Sequence, residues 1–426
     1  MRPLLTLILA YPVFAQQTIH LTLDQAIETA LRQNPAVATA QRAVDEGNAR
    51  IKQARADYFP QFGFNGIAKA GLPGATNALG LLGLPNSPFY RNFAEGATGY
   101  QNVWDFGRRE HRTAMERRRR DALEADLHAT EASVILKVQQ TYYCVLKAQR
   151  LSIATAEVVK SQETVLRQAQ AFYEGQIRSR VDVELARGGL SRAQLQLLEA
   201  QSNVRLASTA LGRAMGSSHD LTQDATYTLE EPSPELPKPE PPGQLIEQAY
   251  RIRPELTSMQ AERRAAEEAL ELARSQRKPL LGMTFSGGWA RFTDVMASQL
   301  MSGGAALILP LFTGGRLEGQ IEEADAALRL TESRMEDLKL QVAEEVRSAD
   351  IRLRNALAAL PLLRIQADSA RQALRLATER YNERLGSIVE LYQALSNLAE
   401  SLAGETIGLY QVKLAESQLR RAVGRR

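Results

Sequence analysis

The sequence predicts a mainly α-helical chain, built as two copies of one unit, in which four short β-strands alternate with long helices. Three observations support this fold class. A shift of 219 residues superposes residues 25–63 on a later segment with eleven identities in 39 positions, which indicates an internal duplication. Segments of alternating apolar and polar residues precede Gly107 and Gly315, and helical stretches almost free of glycine and proline follow them.

The composition argues against several classes of protein. The 426 residues carry a formal charge of +3, which gives no indication of a nucleic-acid partner. The one cysteine, Cys144, forms no internal disulfide, and we expect it to be buried as a small apolar side chain. The four histidines are too scattered to predict a metal site, and phosphate-loop, dinucleotide-binding and hydrolase motifs are missing. We therefore expect no cofactor, no metal and no enzymatic activity.

Residues 1–15 have the features of a short secretory signal peptide. Arg2 precedes the apolar run Leu4–Phe14, and Val13–Ala15 offers a cleavage site before Gln16. The alternative is an apolar N-terminus that frays. A cleaved signal implies that the mature chain leaves the cytoplasm. No later stretch is apolar for long enough to predict a membrane-spanning helix, so any passage through a membrane would use strands.

Each copy begins with two helices. In the first copy a helix from Asp24 to Gln33 ends before a proline, and a second helix runs from about Pro35 to Asp57. Pro60 stops the second helix because proline cannot continue the hydrogen-bond ladder. The second copy repeats this order after Gln244.

The next segment of each copy has the period of two that is typical of strands. In the second copy Phe285 and Trp289 lie on one apolar face, and the returning strands are predicted at Tyr100–Trp104 and Ala305–Phe312. Two hairpins supply too few strands to close a membrane-spanning sheet, so a membrane role requires several copies of the chain. The alternative is a pair of small soluble sheets packed on the helices. The candidate aromatic residues for the membrane interface are Tyr100, Trp104, Phe285 and Trp289.

Very long helices follow each hairpin. The stretch from Arg316 to Tyr381 would reach roughly 100 Å as one helix. Short turns at 174–180 and 383–387 send the chain back along helices that end at Gly216 and Gly424. The predicted division is a signal peptide at 1–15, a first repeat at 16–216 with a β-hairpin at 58–107 and a helical hairpin at 108–216, a proline-rich linker at 217–243, and a second repeat at 244–426 with hairpins at 279–315 and 316–424.

These features closely resemble the TolC-like outer-membrane efflux family. The resemblance covers essentially the mature chain and rests on the duplication and on three motifs: the opening Leu21–Ile27 with Asn34–Pro35, the strand exit Pro310–Arg316, and Arg380–Tyr381 followed by Glu390. The family implies a homotrimer in which twelve strands form one outer-membrane β-barrel and twelve helices continue it as a periplasmic α-barrel tunnel. It also implies a closed periplasmic entrance at the turns between the long helices.

The resemblance assigns roles to residues at these turns. The candidates for the entrance gate are Asp182, Tyr381 and Glu390, and those for the tip that contacts an adaptor are Phe172, Gly175, Arg384 and Gly386. Two positions depart from the family pattern, because Arg384 replaces a glycine and Gln393 replaces a residue that is acidic in some members. Purely structural roles are the alternatives. In these, Asp182 and Glu390 complement helix dipoles, and Tyr381 packs at a helix end.

We therefore expect a passive outer-membrane exit duct with a long periplasmic extension. The implied partners are two further copies of the chain, a periplasmic adaptor that opens the duct, an inner-membrane pump that powers it, and outer-membrane lipid. The alternative is a soluble periplasmic coiled-coil adaptor or scaffold, which would instead show one helical hairpin flanked by longer β-rich domains.

Overall fold

The computed structural model describes residues 18–70, 91–217, 226–233, 235–292 and 295–425. The predicted signal peptide at 1–15 and the connection at 71–90 lie outside these residues, as do 218–225 and 234 of the predicted linker. The helices are α1 Leu23–Gln33, α2 Pro35–Ala56, α3 Arg108–Glu174, α4 Arg180–Met215, α5 Pro242–Ile252, α6 Pro254–Ser275, α7 Arg316–Asn382 and α8 Ile388–Val423. The strands are β1 Thr18–Leu21, β2 Gln61–Ala70, β3 Arg91–Trp104, β4 Thr226–Leu229, β5 Leu280–Phe292 and β6 Val295–Ile308.

The helices of the two copies have equal lengths. Helices α1 and α5 have 11 residues each, and α2 and α6 have 22. Helices α3 and α7 have 67 residues each, and α4 and α8 have 36. The duplicated, mainly helical fold class is confirmed, whereas the domain boundaries stay a prediction.

The ends of several helices follow from local chemistry. Thr22 and Gln25 form a reciprocal capping box at the start of α1, which satisfies two backbone amides that have no partner within the helix. Helices α4 and α8 end at Gly216 and Gly424, whose φ values of +78° and +88° are left-handed. Glycine adopts that conformation without a steric penalty, so both predicted helix ends are confirmed.

One compact unit of the chain comprises the described residues within Met1–Thr39, His128–Arg253 and Leu340–Arg426. Its larger core is built around Tyr142, which is 1% exposed and whose hydroxyl lies 3.1 Å from the carbonyl oxygen of Leu21 and 2.9 Å from that of Glu230. Those two carbonyls lie at the ends of β1 and β4, which pair in parallel. Sequence patterns predicted neither strand, because four-residue segments are too short to show a period.

Cys144 is exposed, so the prediction that it is buried was wrong. Its neighbours Tyr142 and Leu146 face the core. Residues two positions away on a helix point to nearly the opposite side, since each residue turns the chain by about 100°. An apolar sequence neighbourhood therefore did not predict the burial of the residue at its centre.

The second unit comprises the described residues within Ala40–Leu127 and Pro254–Lys339 and holds the four-stranded sheet, in the order β2-β3-β5-β6. All neighbouring strands are antiparallel. Strand β6 ends at Ile308, not at Phe312 as predicted, because Pro310 has no amide to donate to a neighbouring strand. The strand also begins earlier than predicted, at Val295.

The register divides the sheet into two faces. Phe62, Gly99, Phe285 and Gly303 lie opposite one another on the first, here called the apolar face. The second, here called the polar face, carries residues that are mainly polar or small, and hydrogen bonds join some of them across strands. Its described members with hydroxyl or amide groups include Gln61, Asn65, Thr98, Tyr100, Thr284, Ser286 and Ser302.

Within the described ranges, no helix is both long and apolar enough to cross a membrane.

Candidate functional site

Two turns of matching geometry connect the long helices, α3 to α4 and α7 to α8. In the first, the amides of Ile177 and Arg178 both donate to the carbonyl of Phe172. In the second, the amides of Leu385 and Gly386 both donate to the carbonyl of Arg380. A serine then caps each returning helix: Ser179 accepts from the amide of Val181, and Ser387 from that of Glu390. The duplication thus extends to single hydrogen bonds.

Each turn contains one residue other than glycine with a positive φ. These residues are Gln176, at +57°, and Arg384, at +67°. Arg384 occupies the position where the family pattern has glycine, and this backbone conformation gives glycine its steric advantage there. Gly175, the predicted tip residue, is the neighbour of the left-handed residue in the first turn and not that residue itself. Each left-handed residue raises the energy of its turn by about 1 kcal/mol.

The four long helices form a compact apolar bundle beside these turns. Tyr381 is fully buried at its centre, and the ring of Phe172 lies 5.8 Å from the tyrosine ring. The remaining members come from all four helices: Val165, Ala169, Val183, Ala186, Ala377, Ile388, Leu391 and Ala394, with Leu166 and Leu374 partly buried against them. Tyr381 therefore packs as a core residue, and its hydroxyl has no hydrogen-bond partner among the described residues.

Arg178 connects the first turn to the second. Its guanidinium carbon lies 5.3 Å from the centre of the Tyr381 ring, within cation–π range. One terminal nitrogen donates to the carbonyl oxygen of Gly386 over 2.8 Å. Its Nε is buried and has no partner in the described part of the chain. This one side chain therefore touches both the aromatic centre and the opposite turn.

The two predicted carboxylates have different surroundings. Glu390 is exposed and forms an ion pair with Arg380, with 3.2 Å between Oε1 and Nε. Asp182 is partly exposed, in the first turn of α4. Burial raises the pKa of the Tyr381 phenol, the negative charge of Asp182 raises that pKa further, and the positive charge of Arg178 opposes the rise. The phenol of Tyr381 therefore keeps its proton and is uncharged at physiological pH.

The structure brings the predicted residues of the two turns into one site and adds two: one that sequence reasoning missed, and one that it named as part of a motif without a role. The additions are Arg178 and Arg380, which bind Gly386 and Glu390 respectively. A shift of 208 residues aligns Arg178 with Gly386, so the repeat pattern gave no sign of a role for an arginine at this position. The arrangement can fasten the two turns to each other. The carboxylate of Asp182, which forms no ion pair with a described residue, can interact with cations.

The structure separates the four aromatic residues proposed for a membrane interface. Phe285 and Trp289 lie on the apolar face, at 45% and 52% exposure. A register shift after Asn102 places Trp104 opposite Leu281, on the same face. Tyr100 pairs with Thr284 on the polar face, and its ring covers Gly282. Three of the four residues thus share the apolar face, and Tyr100 does not.

Comparisons with known proteins agree with this architecture. The sequence model of the family "Outer membrane efflux protein" matches residues 26–217 and 245–425. Nodulation protein T of Rhizobium leguminosarum bv. trifolii is 22% identical over 394 residues, which cover 89% of this chain and 80% of that protein. The cation efflux system protein CusC of Escherichia coli K12 is 25% identical over 308 residues, which cover 70% of this chain and 64%, less than two thirds, of CusC.

Solved structures share the fold. The CmeC outer membrane channel of Campylobacter jejuni superposes with a TM-score of 0.80 at 18% identity, covering 94% of this chain and 85% of that one. The outer membrane protein VceC of Vibrio cholerae superposes with a TM-score of 0.78 at 19% identity, covering 94% and 96%. The family model matches both copies and most of the chain. The chain therefore belongs to the outer membrane efflux protein family and is an outer-membrane protein with the architecture of an efflux channel.

Proposed function

We propose that three copies of this chain form a passive exit duct through the outer membrane. The sheet supports this proposal most directly. Among the described strands, β2 and β6 each have one edge without a partner. An open edge in hydrocarbon leaves backbone amides and carbonyls without hydrogen bonds, at a cost of several kcal/mol each. Because β6 runs antiparallel to β2, the β6 edge of one chain can pair with the β2 edge of the next.

The two faces of the sheet favour this closure. Phe62, Phe64 and Met301 on the apolar face are 77%, 71% and 78% exposed, which suits contact with lipid. On the polar face, a Cβ added to Gly288 would lie 2.1 Å from the carbonyl oxygen of Glu95. So close an approach between β3 and β5 leaves no room for a side chain here, and we propose that the pair bends toward the polar face. A sheet that curves this way places its hydroxyl and amide groups around the lumen.

We propose that the two turns form the periplasmic entrance. Arg178, Tyr381 and Asp182 would hold the turns together in the closed state, and Glu390 with its copies would add negative charge near the axis. The exposed turn residues Arg384 and Leu385, with Gly175, would meet a periplasmic adaptor. The adaptor would open the entrance and an inner-membrane pump would supply the energy, so the duct itself would need no catalytic chemistry. The soluble adaptor alternative is not favoured, because the family is one of outer-membrane channels.

Detergent extraction and electrical recording test the proposal. We expect the chain in the outer-membrane fraction as a trimer, and we expect channels in planar bilayers. Replacing Asp182, Tyr381 and Glu390 together by Ala should raise the conductance. The Glu383→Ala variant is the matched control, because it removes an exposed carboxylate from the same turn. A stable, soluble monomer would refute the duct, and equal conductance of the triple and control variants would remove the three residues from the gate.

We also propose that residues 1–15 are removed on export and that the domain boundaries lie at 216 and 243. Sequencing the N-terminus of the protein purified from membranes tests the first part. We expect the mature chain to begin at Gln16, and a chain that retains Met1 would contradict the proposed signal peptide.

A further inference from the structure

A cavity of about 570 Å³ lies in the second unit, where the strands join the helices. Residues from the junctions α2–β2, β3–α3, α6–β5 and β6–α7 all line it. Its charged members are Asp57, Asp105, Arg108, Arg109, Arg112 and Arg316, and the apolar wall includes Leu280 and Ile308. Four guanidinium groups against two carboxylates leave this lining with two net positive charges.

The cavity opens on the polar face of the sheet. Leu280 and Ile308 pair with each other. Because alternate residues of a strand point to the same side, Leu280 shares the polar face with Thr284, and Ile308 shares it with Gly304. Asn102, opposite Gly282, lies on the same face. The proposed duct places this face toward the lumen, just below the strands.

Three of the four arginines already have partners. Arg109 binds the buried carboxylate of Asp105 over 2.9 Å, and Arg112 binds Asp57 over the same distance. Arg108 donates to backbone carbonyls at the end of α6, those of Ser275, Gln276 and Lys278. Both acidic side chains of the lining are therefore neutralised by arginines within it.

Arg316 is different. It is exposed, and in the described part of the chain its guanidinium has no hydrogen-bond or ion-pair partner. Arg316 is the first residue of α7, and Arg108 is the first residue of α3. The N-termini of two 67-residue helices, which carry partial positive charge, therefore lie at the cavity together with Arg316. The unpaired guanidinium presents all its donors to whatever enters.

We propose that this cavity is a binding station for small polyvalent anions, whose phosphate or carboxylate groups Arg316 would bind in the bidentate geometry that suits guanidinium. The proposal rests on the proposed duct, in which three such cavities form a positively charged ring below the barrel. Arg112, which is half exposed, would turn from Asp57 to share the anion. The ring would favour anionic cargo at the step between tunnel and barrel, whereas Asp182 and Glu390 would favour cations at the entrance.

Titration calorimetry on the purified, detergent-solubilised protein at low salt tests this station. The probes are inorganic pyrophosphate and citrate, which separate the phosphate from the carboxylate as the preferred group. We expect at least one of them to bind, and we expect Arg316→Gln to weaken that binding about tenfold, the effect of losing one charge-assisted contact. The Arg117→Gln variant is the matched control, because Arg117 is an exposed arginine of α3 that does not line the cavity.

The outcomes separate this inference from the duct itself. A trimer that binds neither probe, or whose affinity falls equally in the Arg316 and Arg117 variants, overturns the anion station and leaves the duct standing. A monomer in detergent refutes the duct. As a second readout, the reversal potential of wild-type channels in a potassium chloride gradient should shift toward cation selectivity in Arg316→Gln and stay unchanged in Arg117→Gln.

Discussion

The guanidinium of Arg178 lies over the ring of Tyr381, with 5.3 Å between its carbon and the ring centre, and the same group donates to the carbonyl of Gly386. The tyrosine is the largest buried side chain near the turns, so Arg178 fastens the first turn to a rigid point of the second copy. The two turns then move only together, unless this one side chain releases them.

Replacing Arg178 by Gln should therefore loosen the proposed entrance. The loss of a hydrogen bond from a charged donor costs about 1.5 kcal/mol, which changes the ratio of closed to open entrance about tenfold. Single-channel recording should show an open probability that is higher by that factor. Arg180→Gln serves as the control, since Arg180 is exposed and its ion pair, with Glu184, is long at 3.8 Å. An unchanged open probability in Arg178→Gln would mean that the contact has no part in gating.

The left-handed residues of the two turns predict a gain in local stability. Arg384→Gly should stabilise the second turn by about 1 kcal/mol, because glycine adopts a positive φ without a steric cost. Amide hydrogen exchange at Leu385, whose N–H bonds to the carbonyl of Arg380, should slow about fivefold. Arg384→Ala removes the same side chain but keeps the Cβ atom, so its exchange should not slow. Equal slowing in both variants would contradict the backbone explanation.

The close approach of β3 and β5 predicts a position that tolerates no side chain. In Gly288→Ala the new Cβ would lie 2.1 Å from the carbonyl oxygen of Glu95 and 2.6 Å from the Cα of Gly96, so the two hairpins would have to separate. Overpacking of this kind costs about 1–3 kcal/mol. Thermal melting of the purified trimer should show a lower midpoint than wild type. Gly304→Ala places its Cβ in open space and should melt like wild type.

The buried phenol of Tyr142 predicts sensitivity to alkaline pH. Burial raises its pKa to about 12, against about 10 in an unfolded chain. Because the folded protein holds this proton more tightly, the stabilisation is complete below pH 10 and is lost as the pH rises toward 12, by about 3 kcal/mol in all. The melting midpoint of Tyr142→Phe should fall less steeply over this range. Tyr173→Phe, which changes an exposed tyrosine, should keep the wild-type slope.

Much of the fold followed from residues whose effect is local. Proline and glycine mark most of the helix ends, and Pro35, Gly216 and Gly424 lie where the sequence placed them. The faces of β5 also followed, since alternation is a property of consecutive residues. Errors arose where a partner distant in sequence decides the outcome. Strand β1 exists because β4 pairs with it. Tyr100 and Trp104 lie on opposite faces of the sheet because the register against β5 shifts between them.

The candidate site shows the same limit. Tyr381 and Glu390 were predicted through the family resemblance, and the structure does place them beside the turns. Arg178 was not predicted and Arg380 was given no role, because an arginine at the end of a helix usually faces water. Only the fold brings Arg178 within 2.8 Å of a carbonyl 208 residues later in the chain.

The matching helix lengths restrict how this protein can evolve. A heptad deleted from α7 alone would draw Tyr381 back by roughly 10 Å and carry it away from Phe172, which belongs to the other copy. Deletions in the long helices are therefore tolerable only in matched sets. The connections between strands obey no such rule: twenty residues separate β2 from β3, and two separate β5 from β6. Natural variation in length should accumulate at those connections, whereas the lengths of corresponding long helices in the two copies should stay equal.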